Sequence, residues 1–154
     1  MPRPQFLPLR VDGRLQAVAL RINETYSASA MVVSSSENIR YLSGFTGSAG
    51  VLICRTDDSV LVTDGRYVEQ AQIQIRDSGA QVRIVEARTA VETVDAMVSE
   101  LTHNATCLCE ASDLSIESHA RYEAALGRQL VPVTGVVEEL RRTKSEAEVE
   151  RIAE

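Results

Sequence analysis

A chain of 154 residues is about one domain's worth of sequence, and with 44% hydrophobic and 25% charged residues it can bury a core without disulfide staples. The net charge of −6 and pI near 5.0 argue against nucleic acid and against anionic membranes as partners, since both select a basic face. No stretch approaches the about 18 consecutive apolar residues of a membrane helix, and the start, Met1-Pro-Arg-Pro-Gln-Phe6, lacks a secretory apolar run, so a cytoplasmic location is expected.

Residues 1–8 hold three prolines and are expected to form an irregular arm. Leu15, Val18, Ala19 and Ile22 follow the i, i+3, i+4, i+7 spacing of a helix with one apolar face. Ser29 to Val33 reads as a short buried strand. Ser34, with Glu37 three residues on, matches a capping box and predicts a short helix carrying Asn38 to Leu42, ended by Gly44. Val51 to Cys54 and Val60 to Thr63 are β-prone runs joined by the polar link Arg55 to Ser59, which reads as a hairpin. Asp64 then stands where an N-cap belongs. A helix is expected from Tyr67 to Ile75, closed by Gly79.

Val82 to Val85 is the next strand. Thr89 and Glu92 form a second capping box, and Val91, Val94, Val98 and Leu101 give the stripe of the helix it opens. Thr106 to Cys109 is a strand, Asp113 or Ser115 caps a helix through Leu126 that Gly127 stops, and Leu130 to Val133 is the last strand. Strands alternating with helices predict a layered α/β domain, and the hairpin makes its sheet mixed. In the tail, Thr143 with Glu146 suggests a fresh helix start and Val149, Ile152 and Ala153 continue it, so that helix is expected to lead into a further domain.

Several familiar chemistries fail on spacing. Gly44, Gly47 and Gly50 stand three apart, unlike the G-x-G-x-x-G of dinucleotide sites, and no Lys-Ser/Thr follows as in a P-loop. Thr46-Gly-Ser48-Ala-Gly50 lacks the first glycine of a nucleophile elbow, and its only available bases are His103 and His119. His103 reads as exposed at a helix end and His119 as a hydrogen-bonded or solvated helix residue. Cys54, Cys107 and Cys109 lie in apolar runs and read as small buried hydrophobes, because the pair 107 and 109 lacks the two-residue gap of a zinc knuckle. For Asp64-Gly-Arg66-Tyr67 a capped helix start with an internal ion pair is favoured, the alternative being that Arg66 binds a carboxylate.

With these residues in view, the chain resembles the N-terminal domain of the creatinase, prolidase and aminopeptidase P family. The resemblance rests on Asn38-x-x-Tyr41-Leu-Ser-Gly-Phe45-x-Gly47-Ser48, on the strand pair ending in Thr63-Asp64-Gly-Arg66-Tyr67, and on Leu140-Arg-x-x-Lys144-x-x-x-Glu148. It implies a three-layer α/β/α fold with a mixed sheet and a ribonuclease H-like motif over residues 9–142, with residues 143–154 starting a linker helix. That helix would lead to a catalytic pita-bread domain outside this chain, which in the family binds two divalent metal ions, expected to be manganese. No catalytic residue, cofactor or metal ligand is then assigned here.

The implied role is that of a non-catalytic domain of an Xaa-Pro aminopeptidase, which releases the residue preceding proline from a peptide. It would shape the substrate entrance and support oligomers, with the catalytic domain and a second subunit as partners. Tyr41, Phe45, Gly47, Ser48 and Arg66 are the expected entrance residues. The alternatives are a stand-alone ligand-binding or interaction module, or the same domain of a prolidase or creatinase-like hydrolase. The chain departs from the family pattern at Asn23-Glu-Thr-Tyr-Ser27, where a small-residue and glycine turn is usual.

Overall fold

Six strands and six helices follow one another in a computed structural model that describes residues 10–143, 148–149 and 152–153. They are α1 (Arg14–Tyr26), β1 (Ala30–Val33), α2 (Ser36–Ser43), β2 (Val51–Arg55), β3 (Ser59–Thr63), α3 (Val68–Ser78), β4 (Val82–Glu86), α4 (Ala90–Leu101), β5 (Cys107–Glu110), α5 (Ile116–Leu126), β6 (Leu130–Val133) and α6 (Val136–Arg141). The arm expected over 1–8 and the helix start paired to Glu146 lie outside the described residues.

The strands form one mixed sheet in the order β4-β3-β2-β1-β5-β6. Strand β2 is antiparallel to both β1 and β3, while β3–β4, β1–β5 and β5–β6 are parallel. Five strands therefore point the same way, and their carboxyl ends share one edge with the start of β2. The period of two sorts the core. Met31, Val33, Leu52, Cys54, Leu61 and Leu108 face a layer built from α1, α2, α3 and α6. Ala30, Val32, Ile53, Cys107, Cys109 and Leu130 face α4 and α5 on the other side. The result is the expected three-layer α/β/α arrangement. The stripe of α1 buries Leu15, Val18, Ala19 and Ile22, the larger side chains contributing about 1.5–3 kcal/mol each.

Local chemistry corrects several boundaries. The N-cap of α2 is Ser35, whose hydroxyl accepts from Asn38 N, while the Ser34 hydroxyl is buried without a partner among the described residues. Helix α3 starts after Asp64: its N-cap is Tyr67, with no side-chain cap, and the Asp64 carboxylate instead accepts from Arg66 N at 2.9 Å to close the turn ahead of it. Val91 is 70% exposed, so the buried stripe of α4 runs through Val94, Met97 and Leu101. Ser115, not Asp113, caps α5. Where the family pattern was broken, Ser27 takes the glycine's place: it adopts φ 52°, its N–H bonds Asn23 O, and the Ala28 N–H bonds Ile22 O to complete the cap of α1. All three cysteines are buried and free.

At the sheet end opposite those carboxyl termini, charge holds the elements together. Arg55 and Arg83 grip Glu100 at 2.9 and 2.8 Å, and both also reach Asp58 in the β2–β3 turn. The edge strand β6 carries Pro132.

Candidate functional site

The loop joining α2 to β2 is moulded on one ring. Gly44 ends α2 with φ 81°, its N–H bonding Arg40 O, and the chain turns so that the Phe45 side chain drops into the core at 1% exposure. The loop then folds back over that ring. A Cβ on Gly47 would run into Phe45 Cζ, and one on Gly50 would lie 3.2 Å from both Phe45 Cε1 and Leu61 Cδ1. Close approach, not an unusual dihedral, is what these two positions require. Tyr67 closes the other side, edge-on to Phe45 with centroids 6.1 Å apart and an 85° interplanar angle.

Hydrogen bonds fasten what packing shapes. Gln74 bonds Thr46 twice, Oε1 accepting from Thr46 N at 3.0 Å and Nε2 donating to Oγ1 at 2.8 Å. The Ser48 and Tyr67 hydroxyls meet at 2.6 Å, and Thr63 Oγ1 donates to Ala49 O at 2.5 Å. Thr46 and Ser48 remain exposed on the outer face. Next to the loop, at the carboxyl ends of β3 and β4, an open cavity of about 200 Å³ is lined by Gly50, Thr63, Asp64, Arg88 and Thr89 among others. Ligands of open α/β sheets gather at such ends.

The expected residues thus divide. Phe45, Gly47 and Ser48 come together in one loop packed against Tyr67, where Phe45 is the buried former and not a displayed surface. Arg66 stands outside at 79% exposure, paired to Asp64 at 2.8 Å, a hydrogen bond that holds the Asp64 carboxyl below its ordinary range and raises Arg66. Tyr41 turns the other way. Its hydroxyl donates to Leu140 O at 3.1 Å, and Arg14 lies 4.0 Å over its ring while donating to Tyr41 O at 2.8 Å.

One residue escaped the sequence reading. Glu110, at the end of β5, is 3% exposed, and its Oε1 accepts from Ser34 N at 2.7 Å and Ser35 N at 2.9 Å. Burial raises its pKa although these donors and Asn38 favour the charged form. Its partners lie more than 70 positions away, so the only local sign was an acidic residue closing an apolar run.

The other candidates are structural. Burial pushes the Cys109 thiol up to about 11, and Cys54 and Cys107 also upward, so none is a ready nucleophile. His119 Nε2 lies 2.7 Å from Leu130 O, and His103 is exposed at the end of α4. Among the described residues no three His, Cys, Asp or Glu side chains converge to hold a metal ion, and no helix is long and apolar enough to cross a membrane.

Comparison with known proteins gives consistent results. The family model of the creatinase/prolidase N-terminal domain matches residues 14–143. An uncharacterized peptidase, YqhT, of Bacillus subtilis is 33% identical over 80% of this chain and 34% of its own length. Aminopeptidase P1 of Lotus japonicus is 31% identical over 84% of this chain and 20% of its own. This chain therefore spans about a third of the first relative and a fifth of the second. Among solved structures, the N-terminal domain of the cytoplasmic peptidase PepQ of Mycobacterium tuberculosis superposes with a TM-score of 0.70 and 31% identity, covering 84% of this chain and 98% of that one. An Xaa-Pro dipeptidase of Bacillus anthracis shares the fold with a TM-score of 0.82 at 23% identity, over 92% of this chain and 38% of that one.

Proposed function

Because the chain belongs to the creatinase/prolidase N-terminal domain family, we propose that it is the non-catalytic N-terminal domain of an Xaa-Pro aminopeptidase. One observation carries the reading: the chain matches an isolated N-terminal domain over 98% of its length, but YqhT over only 34%. The chemistry then lies in a catalytic domain that holds two divalent metal ions, expected to be manganese, and hydrolyses the bond before proline. The described residues of this chain offer that pair no ligand cluster, so no step through it is assigned to them.

Within this reading the loop from Gly44 to Gly50 faces the peptide entrance. A rigid loop suits that place, because wall residues fixed in advance lose little freedom when substrate binds. Phe45 and Gly47 set its shape, Thr46 and Ser48 are its exposed side chains, and Gln74 and Tyr67 hold it in place, while Tyr41 and Arg66 stand on its flanks and hydrogen-bond elsewhere. The catalytic domain and a second subunit are the proposed partners, and a proline-containing peptide the substrate.

Assaying this chain alone on an Xaa-Pro peptide with manganese is expected to give no turnover, and turnover would overturn the assignment of catalysis elsewhere. Reading the coding sequence past Glu154 separates this from a stand-alone binding module: a continuation with Asp, His and Glu ligands supports the peptidase, and an immediate stop sinks it. In the whole enzyme, Ser48→Trp is expected to raise KM for an Xaa-Pro peptide with kcat little changed; an unchanged KM removes the loop from the entrance. A prolidase-type dipeptidase is the second reading, favoured by the matching family model, which spans prolidases as well as creatinases, and paired dipeptide and longer substrates distinguish the two.

A further inference from the structure

The polar cluster around Glu110 has a connectivity that the entrance loop alone does not explain. Asn38, on α2, donates through one nitrogen to two carboxylates: Glu110 Oε2 on β5 at 2.5 Å and Glu138 Oε1 on α6 at 2.9 Å. Its oxygen accepts from Arg141 Nη1 on α6 at 3.1 Å. Carboxylates accept and a guanidinium donates, so this orientation of the amide is the one that suits all three neighbours. Glu110 is itself fixed by the two backbone N–H groups of Ser34 and Ser35. A carboxylate buried at 3% exposure is expensive, and what it secures here is the position of one amide.

One turn further along α2, the Tyr41 hydroxyl holds Leu140 O. The last residue of the same helix, Ser43, accepts from Phe45 N through its hydroxyl at 3.2 Å, and its own carbonyl accepts from Ser78. Helix α2 therefore has α6 on its side and the glycine loop at its end, with no flexible segment between them.

We propose that Asn38, oriented by Glu110, is a latch that couples α6 to the Gly44–Gly50 loop through α2. A change in the seat of α6 is then felt at the loop, and the reverse holds by linkage. Asn38 and Glu110 are positioning residues in this scheme. The latch lies wholly within this chain and stands whether or not the peptidase reading does.

Amide hydrogen exchange followed by NMR tests it on this chain. Asn38→Ala is expected to speed exchange at Glu139 N, which bonds Gly135 O in α6, and at Gly44 N by about tenfold, with the β2 and β3 amides changed far less. Asn38→Asp, which keeps the outline and loses the donor, is expected to act alike. A uniform rise across the sheet, or release of α6 without the loop, overturns the latch. Should both variants fail to fold, Arg141→Ala frees the same amide from the α6 side. Joint release of α6 and loop supports the proposal, and unchanged exchange at both removes it.

Discussion

At one end of the sheet Glu100 sits between Arg83 and Arg55, partly in water, while at the other Glu110 sits buried among backbone N–H groups and the Asn38 amide. Hydrogen bonds from the two arginines hold the Glu100 carboxyl below its ordinary range, whereas burial drives Glu110 upward. The same side chain is a staple in the first place and a fixed point in the second. A half-exposed ion network joins the β2–β3 turn, β4 and α4 at modest cost and tolerates small shifts of its long side chains. A buried carboxylate tolerates none, because each donor is needed to offset its desolvation. The loop end, where the sheet's carboxyl ends gather, is built for position, and the hairpin end for cohesion.

The largest test of that contrast is Phe45→Ala, which removes the former of the glycine loop. It is expected to cost about 3–5 kcal/mol by urea unfolding, and a cost under about 1 kcal/mol would mean that the loop does not depend on the ring. Gly47→Ala should cost about 1–3 kcal/mol through the clash with that ring, with thermal unfolding as the readout.

The hairpin end should respond less. Glu100→Gln is expected to cost about 1 kcal/mol at neutral pH. Its sign with pH is fixed: a carboxyl whose folded pKa lies below the unfolded one stabilises above the unfolded value, and this is lost as pH falls through the folded value. The gap between wild type and variant should therefore close on acidification below about pH 4, and a gap that widened there would contradict the ion network. Also at this end, Ser27→Gly relieves the left-handed residue after α1 and should stabilise by about 0.5–1 kcal/mol.

The finest test involves no change in sequence. Carboxyl resonances followed by NMR should show Glu110 titrating above the ordinary range and Glu100 below it, and coincident midpoints would erase the distinction between the two ends. For Glu110 the sign is opposite. Its contribution to stability falls as pH rises from the unfolded value through the raised folded one.

The elements were legible because their signals are local. Thr89 with Glu92 opened α4 as expected, the Thr89 hydroxyl accepting from Glu92 N at 3.1 Å, and the two runs around Arg55–Ser59 paired as a hairpin. Local signals also misplaced details. Ser34 and Ser35 are equally good caps by type, and only the long-range bonds that fix both backbones on Glu110 show that it is the Ser35 hydroxyl that meets Asn38 N. Asp64 looked like a cap, but Arg66 takes its carboxylate two residues early. The loop was found by its glycines and aromatics, yet nothing near Gly47 says that Phe45 points inward beneath it. Long-range partners such as Glu110 with Asn38 leave no periodicity to read.

Pro132 has a consequence for how this domain lives among copies of itself. A sheet ends in two rows of backbone groups that can recruit a foreign strand, and β6 is one of those rows. Lacking an N–H, Pro132 takes a rung from any ladder built there, while on the far row the Arg83 of β4 is committed to ion pairs. Both margins thus carry a brake on fibrillar growth, which matters most for a protein whose strands are short and almost wholly apolar.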